Sequence, residues 1–176
     1  AALRELEGDD AAHPFVWLRI AQGCDRKCAF CIIPKIRGGL KTYTLSDIDR
    51  QIGDEQALRL GRVPIREVVL VSQDTISQGV DEIEKIVAHL SANDEIHWIR
   101  LQYLFPDRRA LDLLELWNKY PKLVPYLDIP FQHVSPEILK AMKRPSDTAL
   151  FAEIIDRAHK LRPDAEIRTS FIIGFP

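Results

Sequence analysis

The chain has 176 residues, 46% of them apolar and 28% charged, with a formal net charge of −2. This is ordinary globular composition for one domain with a sizeable core, and its near-balanced charge supplies no overall field for nucleic acid. No apolar run is long enough to cross a bilayer and no signal pattern opens the chain, so the composition points to a soluble, cytoplasmic protein with no membrane partner.

Residues 1–13 are polar and acidic without an apolar period, and are expected to be a linker from an upstream domain. Residues 14–176 then alternate between two patterns. Short β-rich runs at Phe15–Ile20, Val68–Val71, Ile96–Leu101, Tyr126–Ile129 and Ile167–Ile173 read as strands buried on both faces. Helical patterns lie between them. Ser46 followed by Asp49 resembles a capping box, with Ile48 and Ile52 at helical spacing. Ile83, Ile86, Val87 and Leu90 form one apolar face, and Leu113, Leu114, Trp117 and Tyr120 another. Ser135-Pro136 supplies a cap and a proline at the first helical position; Leu150, Ile154, Ala158 and Leu161 continue to Pro163. Trp17, Trp98 and Trp117 fall inside these patterns and are expected in the core.

Five strands with helical crossovers imply an α/β fold with a parallel sheet, a (β/α) barrel or part of one. The chain stops at Gly174-Phe175-Pro176, directly after the fifth strand. A barrel truncated there, and completed downstream, is the expectation.

The cysteines carry the chemistry. Cys24, Cys28 and Cys31 are the only three, spaced C-x-x-x-C-x-x-C with Phe30 before the last. An odd count argues against a disulfide framework. Thiolates hold iron–sulfur clusters, usually four of them, so three in one loop leave an iron open. The competing reading is structural zinc, whose fourth ligand would have to be distant, at His13 or His133. His89, His97 and His159 have no such constellation and read as surface or packing residues.

In parallel α/β barrels the active site lies at the C-terminal strand ends. The cysteine loop follows the first strand. Ser72-Gln73-Asp74 follows the second and Gln102-Tyr103 the third; Asp128, Gln132 and His133 surround the end of the fourth, and Gly174 follows the fifth. An open iron can take an amine and a carboxylate, and the methionine end of S-adenosylmethionine offers both. In such systems the cofactor carries the difficult chemistry, while the protein binds, orients and excludes water.

With an aromatic before its third cysteine and a place after the first strand, this motif resembles the radical S-adenosylmethionine enzymes. The stretches GCDRKCAFCIIPKIRG, VSQDT, PYLDIPFQHVSPEILKAMKRP and RTSFIIGFP are similar to the methylthiotransferases. Within that group they resemble the RimO-type branch, which modifies an aspartate of a small-subunit ribosomal protein. Ser72-Gln73-Asp74 stands where the tRNA-modifying branch tends to have Gly-Gln-Asn, and His133-Val134 where it tends to have Ser-Gly. The resemblance implies a 4Fe–4S cluster on Cys24, Cys28 and Cys31 and reductive cleavage of S-adenosylmethionine. It further implies attachment of a methylthio group to the aspartate β-carbon. It places Phe30 near the adenine, Gln73 and Asp74 near the cofactor's amino group and ribose, Gln132 and His133 along the pocket, and Gly174 in the cofactor-binding set. The implied partners are a ribosomal protein substrate, an external electron donor, and nearby ribosomal or transfer RNA. Relatives carry three further cysteines upstream and a small β-domain at the far end, neither found in these residues. Ser146 stands where they often have glycine.

Several positions support two readings. Gln73 and Asp74 fit a cofactor contact or a strand-end turn that caps the next helix. Asp128 sits among apolar residues and needs a partner, with Arg100 and Arg168 as candidates. His133 fits a pocket donor or a bond to local backbone. Arg26, Lys27, Lys35, Arg37 and Lys41 form a basic run that reads either as a solvated face or as a surface for an acidic group or RNA. Arg37 is the substrate candidate, because its planar fork suits a carboxylate.

Overall fold

The computed structural model describes residues 13–59 and 63–176, so the expected linker lies, except for His13, outside the described residues. Strands β1 (Phe15–Arg19), β4 (Glu67–Val71) and β5 (Trp98–Leu101) form a parallel sheet in the order β1-β4-β5, with Phe15 opposite Glu67 and Glu67 opposite Trp98. Strands β6 (Tyr126–Asp128) and β7 (Glu166–Arg168) pair in parallel beyond them. A bridge between Ile99 and Leu123 carries the chain from β5 towards β6. The five expected strands are therefore present in chain order, the fifth shortened from the expected Ile167–Ile173 to Glu166–Arg168 with an isolated bridge at Phe171, and each of the first four leads through a connection back to the same end. Two short strands not foreseen, β2 (Ala21–Gln22) and β3 (Lys41–Thr42), pair antiparallel around the cysteine loop.

The described residues hold seven α-helices: α1 (Ile33–Arg37), which lies in the cysteine loop and buries no residue, and α2 (Leu45–Arg59), α3 (Val80–Ser91), α4 (Arg109–Leu114), α5 (Leu116–Lys119), α6 (Pro136–Ala141) and α7 (Thr148–Leu161), which bury side chains in the core on one side. Val16, Leu18, Val68, Leu70, Ile99 and Leu127 alternate onto that side and are buried with Ile83, Ile86, Val87, Leu90, Leu114 and Ile154 in one core. None of these helices is long and apolar enough to cross a membrane.

The other face corrects the expectation of strands buried on both sides. Trp17 and Trp98 are 49% and 52% exposed; of the three tryptophans only Trp117, on a helix, is in the core. Both occupy the strand positions that alternate away from the helices, onto the inner face. That face is also polar. Arg100 Nε bonds Glu67 at 2.7 Å while its guanidinium lies over the Tyr126 ring, and Arg168 Nη1 is 3.7 Å from Asp128 Oδ2. Of the two candidate partners for Asp128, Arg168 is the one that pairs.

Local signals fix the helix starts. The capping box of α2 is Thr44 with Asp47, not Ser46 with Asp49: Thr44 N donates to Asp47 Oδ2 at 2.9 Å and Asp47 N to Thr44 Oγ1 at 3.2 Å. Both hydroxyl residues have an aspartate three positions on, and reciprocal bonding selects the earlier pair. Ser135 Oγ accepts from Ile138 N at 3.5 Å at the start of α6, and Pro136 occupies the first turn. At the other end of α2, the buried Arg59 donates to the carbonyls of His13 and Phe15, tying that helix to the start of β1.

Candidate active site

The cysteine loop leaves the C-terminal end of β1 and is closed by the β2–β3 pair. Gly23 turns the chain into it with φ +79°, and a Cβ there would stand 2.1 Å from the Gly39 carbonyl oxygen. Only glycine fits such a close approach in the left-handed region. Three further bonds hold the loop. Cys24 N donates to Gly38 O at 3.1 Å, Leu40 N to Asp25 Oδ1 at 3.1 Å, and Ala29 N to Met142 O at 2.9 Å. Gln73, after β4, accepts from Gly23 N at 2.7 Å. The strand-end glutamine is thus built into the cysteine loop.

The three thiols are free, Cys24 buried and Cys28 and Cys31 partly so. Burial raises the Cys24 pKa; the Arg26 N–H, 3.4 Å from its sulfur, opposes this, while Asp74, Cys28 and Cys31 add to it. Bringing anionic sulfurs together here therefore requires a compensating cation.

Cations are at hand. Arg26 Nε bonds Asp74 Oδ2 at 2.7 Å and its Nη2 bonds Asp107 Oδ2 at 2.9 Å; Arg109 holds Asp107 from the other side at 2.6 Å. Burial works against the Arg26 charge, but its two carboxylates outweigh it and hold its pKa above the ordinary value. Burial likewise works against the Asp107 carboxylate, and Arg109 and Arg26 overcome it, so that pKa is depressed. Arg26 and Arg144 both lay their guanidiniums on the buried Phe105 ring, 3.8 and 4.2 Å from its centroid. Arg144 Nη1 reaches Cys28 Sγ at 3.8 Å. Burial lowers the Arg144 pKa, with the Cys28 sulfur partly offsetting it.

The expected site residues fall in several places. Asp74 is 2% exposed; its Oδ2 serves Arg26 and Ser77, while its Oδ1 is buried without a partner. Phe30 is 40% exposed and meets Phe175 edge to face, with centroids 6.3 Å apart. Gln132 has φ +73° and bridges to Phe171, and Gly174 has φ +75° in the following segment. The His133 Nδ1 accepts from Ser135 N at 2.9 Å, a local backbone bond. Within the basic run, Arg26 is consumed internally, whereas Lys27, Lys35, Arg37 and Lys41 are exposed. Arg37 stands in the last turn of α1, apart from the Arg26–Asp74 network.

A cavity of about 390 Å³ opens beside the loop, lined by Trp17, Arg19, Val71, Ser72, Gln73 and Tyr103. Its size is that of a small-molecule site, with an apolar wall and a few polar groups. Its Gln73 is the residue bonded to Gly23, so cavity and cysteine loop share a wall. As a fourth zinc ligand, His13 is in the wrong place: it stacks on Phe15 at the start of β1, one strand length from the loop. Among the described residues no three His, Cys, Asp or Glu side chains converge to hold a metal ion as they stand; the three free thiols of one loop, beside a cavity, have the donor chemistry of a cluster with one iron open.

Known proteins similar to this chain are found over most of its length. The model of the radical SAM superfamily matches residues 18–176. The ribosomal protein uS12 methylthiotransferase RimO of Leptospira biflexa is 39% identical over 170 residues, covering 96% of this chain and 37% of that protein. Its counterpart in Fervidobacterium nodosum is also 39% identical, covering 99% of this chain and 41% of that protein. The chain therefore spans about two fifths of these relatives' length. Among solved structures, the cobalamin-dependent S-adenosylmethionine radical enzyme OxsB, with aqua-cobalamin and S-adenosylmethionine bound, superposes with a TM-score of 0.68. Its identity is 15%, and 89% of this chain is covered against 23% of that one, so the likeness is one of fold.

Proposed function

Since the chain belongs to the radical SAM superfamily, we propose that residues 14–176 are the radical-generating core of a methylthiotransferase. Its substrate is an aspartate of a small-subunit ribosomal protein, modified at the β-carbon. The observation that carries this reading is a lone cysteine trio at the strand-end mouth of a chain 39% identical to uS12 methylthiotransferases. Cys24, Cys28 and Cys31 would hold the 4Fe–4S cluster. When bound, it supplies the single electron that splits the sulfonium of S-adenosylmethionine.

The chain's own residues then have defined tasks. The Gln73 side chain, accepting from Gly23 N, and the Met142 carbonyl, accepting from Ala29 N, hold the cysteine loop in one shape. The Asp74 Oδ1, buried and unpaired, is the acceptor best suited to an amine or a ribose hydroxyl entering from the mouth. Phe30 offers an exposed ring on which a purine can stack. Gln132, His133 and Gly174 are assigned to the cofactor side of the pocket, as the resemblance to the family implies. Exposed Lys27, Lys35, Arg37 and Lys41 face the ribosomal protein or the RNA beside it, with Arg37 set to take a substrate carboxylate. An external donor supplies the electron.

The test uses the full-length enzyme, reconstituted anaerobically with iron and sulfide and given S-adenosylmethionine and a reductant. Ribosomal protein and tRNA are offered separately and read by mass spectrometry. The expected result is a methylthio mass gain on the ribosomal protein alone. Methylthio-adenosine in tRNA with unmodified protein would assign the tRNA branch instead. Stoichiometric zinc with no response to S-adenosylmethionine would leave a structural metal module.

A further inference from the structure

Arg144 lies 116 residues from Cys28 in sequence, yet its Nη1 points at the Cys28 sulfur from 3.8 Å. The approach is built from several sides. The Arg144 Nη2 donates to the Pro130 carbonyl, and the guanidinium stacks on Phe105 at 4.2 Å. The turn that carries it, with Lys143 at φ +55°, bonds back to the cysteine loop through Ala29 N and Met142 O. One end of the fork is thus anchored on backbone, and the other is aimed at sulfur.

The charge is poorly compensated. Arg26, on the same ring, has Asp74 and Asp107. Among the described residues, Arg144 pairs with no carboxylate, and its Nε is buried without a partner. A partly buried guanidinium without a counter-ion is costly. The group its fork reaches instead is the Cys28 sulfur, which becomes a thiolate when it ligates a cluster.

We propose that Arg144 is a positioning residue for the cluster's redox chemistry: its N–H bonds the Cys28 thiolate and raises the cluster's reduction potential. Adding an electron makes the cluster more anionic, so a cationic donor on one sulfur favours the reduced state over the oxidised one. No atoms move in this step; an electron arrives from the external donor and a fixed guanidinium lowers the free energy of its arrival. The anchoring of Nη2 on Pro130 makes the effect specific to a fork, which lysine does not have.

This rests on the cluster reading given above, and the two fail differently. A chain that takes up no iron–sulfur cluster sinks that reading, whereas a loaded cluster indifferent to Arg144 sinks only this inference. The experiment compares wild type, R144K and R144Q after anaerobic reconstitution. Iron and sulfide are counted, and the midpoint potential is read by EPR-monitored redox titration. R144Q is expected to load normally and to be at least tenfold harder to reduce, about 59 mV lower for one electron. R144K is expected to fall between it and wild type. If R144Q loads no cluster, R144K decides: full iron with a potential below wild type supports the proposal. A wild-type potential in a loaded variant overturns it. Failure of both variants to load iron also overturns it, because Arg144 would then be holding the loop and not tuning the cluster.

Discussion

Gln73 Oε1 and the backbone N–H of Gly23 are 2.7 Å apart, a bond that spans 50 residues and fastens the end of β4 to the start of the cysteine loop. Gly23 is buried, so without that acceptor its N–H has nowhere to go. Gln73→Ala is therefore expected to cost about 1–3 kcal/mol, the price of a buried donor left unpaired. Thermal denaturation should show a drop of a few degrees, and Gln73→Glu, which keeps an acceptor oxygen, should lose less.

Two glycines separate strain from collision. Gly38 has φ +73°, and a Cβ added to it would meet nothing within 4 Å, whereas a Cβ at Gly23 would meet Gly39 O at 2.1 Å. Gly38→Ala should cost only the backbone strain of a conformation nearly reserved for glycine (φ +73°, ψ −166°), about 1–3 kcal/mol. Gly23→Ala should in addition displace the Gly38–Gly39 backbone that Cys24 bonds to. Iron bound per chain after reconstitution should fall well below half of wild type in Gly23→Ala and stay near normal in Gly38→Ala.

Asp107 gives a pH signature. Its carboxylate pKa is depressed in the folded chain, with Arg109 and Arg26 overcoming the opposing effect of burial. A depressed carboxylate contributes stability that is fully present above its unfolded pKa of about 3.9 and is lost as pH falls through the lower folded value. Wild type minus Asp107→Asn stability should be constant above about pH 5 and should shrink below about pH 4. Denaturant midpoints across that range check it.

Much of this was legible in the sequence, for physical reasons that differ by element. The Ile83, Ile86, Val87 and Leu90 stripe is buried as one face of α3 because helical spacing and packing say the same thing. Ser135-Pro136 starts α6 because both residues act locally. Trp17 and Trp98 were hidden from such reading: an apolar residue in a strand does not say which face its sheet covers. The Thr44 box was obscured by a second hydroxyl two residues later. The Arg26–Asp107 pair spans 81 residues and the Arg144–Cys28 contact 116, and no local period marks partners that distant. Arg26 consequently read as one of a solvated run. Phe105, which both guanidiniums use, lies between a predicted strand and a predicted helix, where no pattern marks it.

Cys28 has no substitute, since the chain carries three cysteines and no more. Cys28→Ala should therefore abolish 5′-deoxyadenosine formation while leaving the sheet intact by circular dichroism. Undiminished product from this variant would mean that Cys28 is not a ligand.

The most direct test is an EPR spectrum of the anaerobically reconstituted, reduced chain, recorded before and after addition of S-adenosylmethionine. A cluster on Cys24, Cys28 and Cys31 with one iron open gives a signal that shifts when the nucleoside is added. A fully loaded cluster whose spectrum ignores S-adenosylmethionine would contradict it.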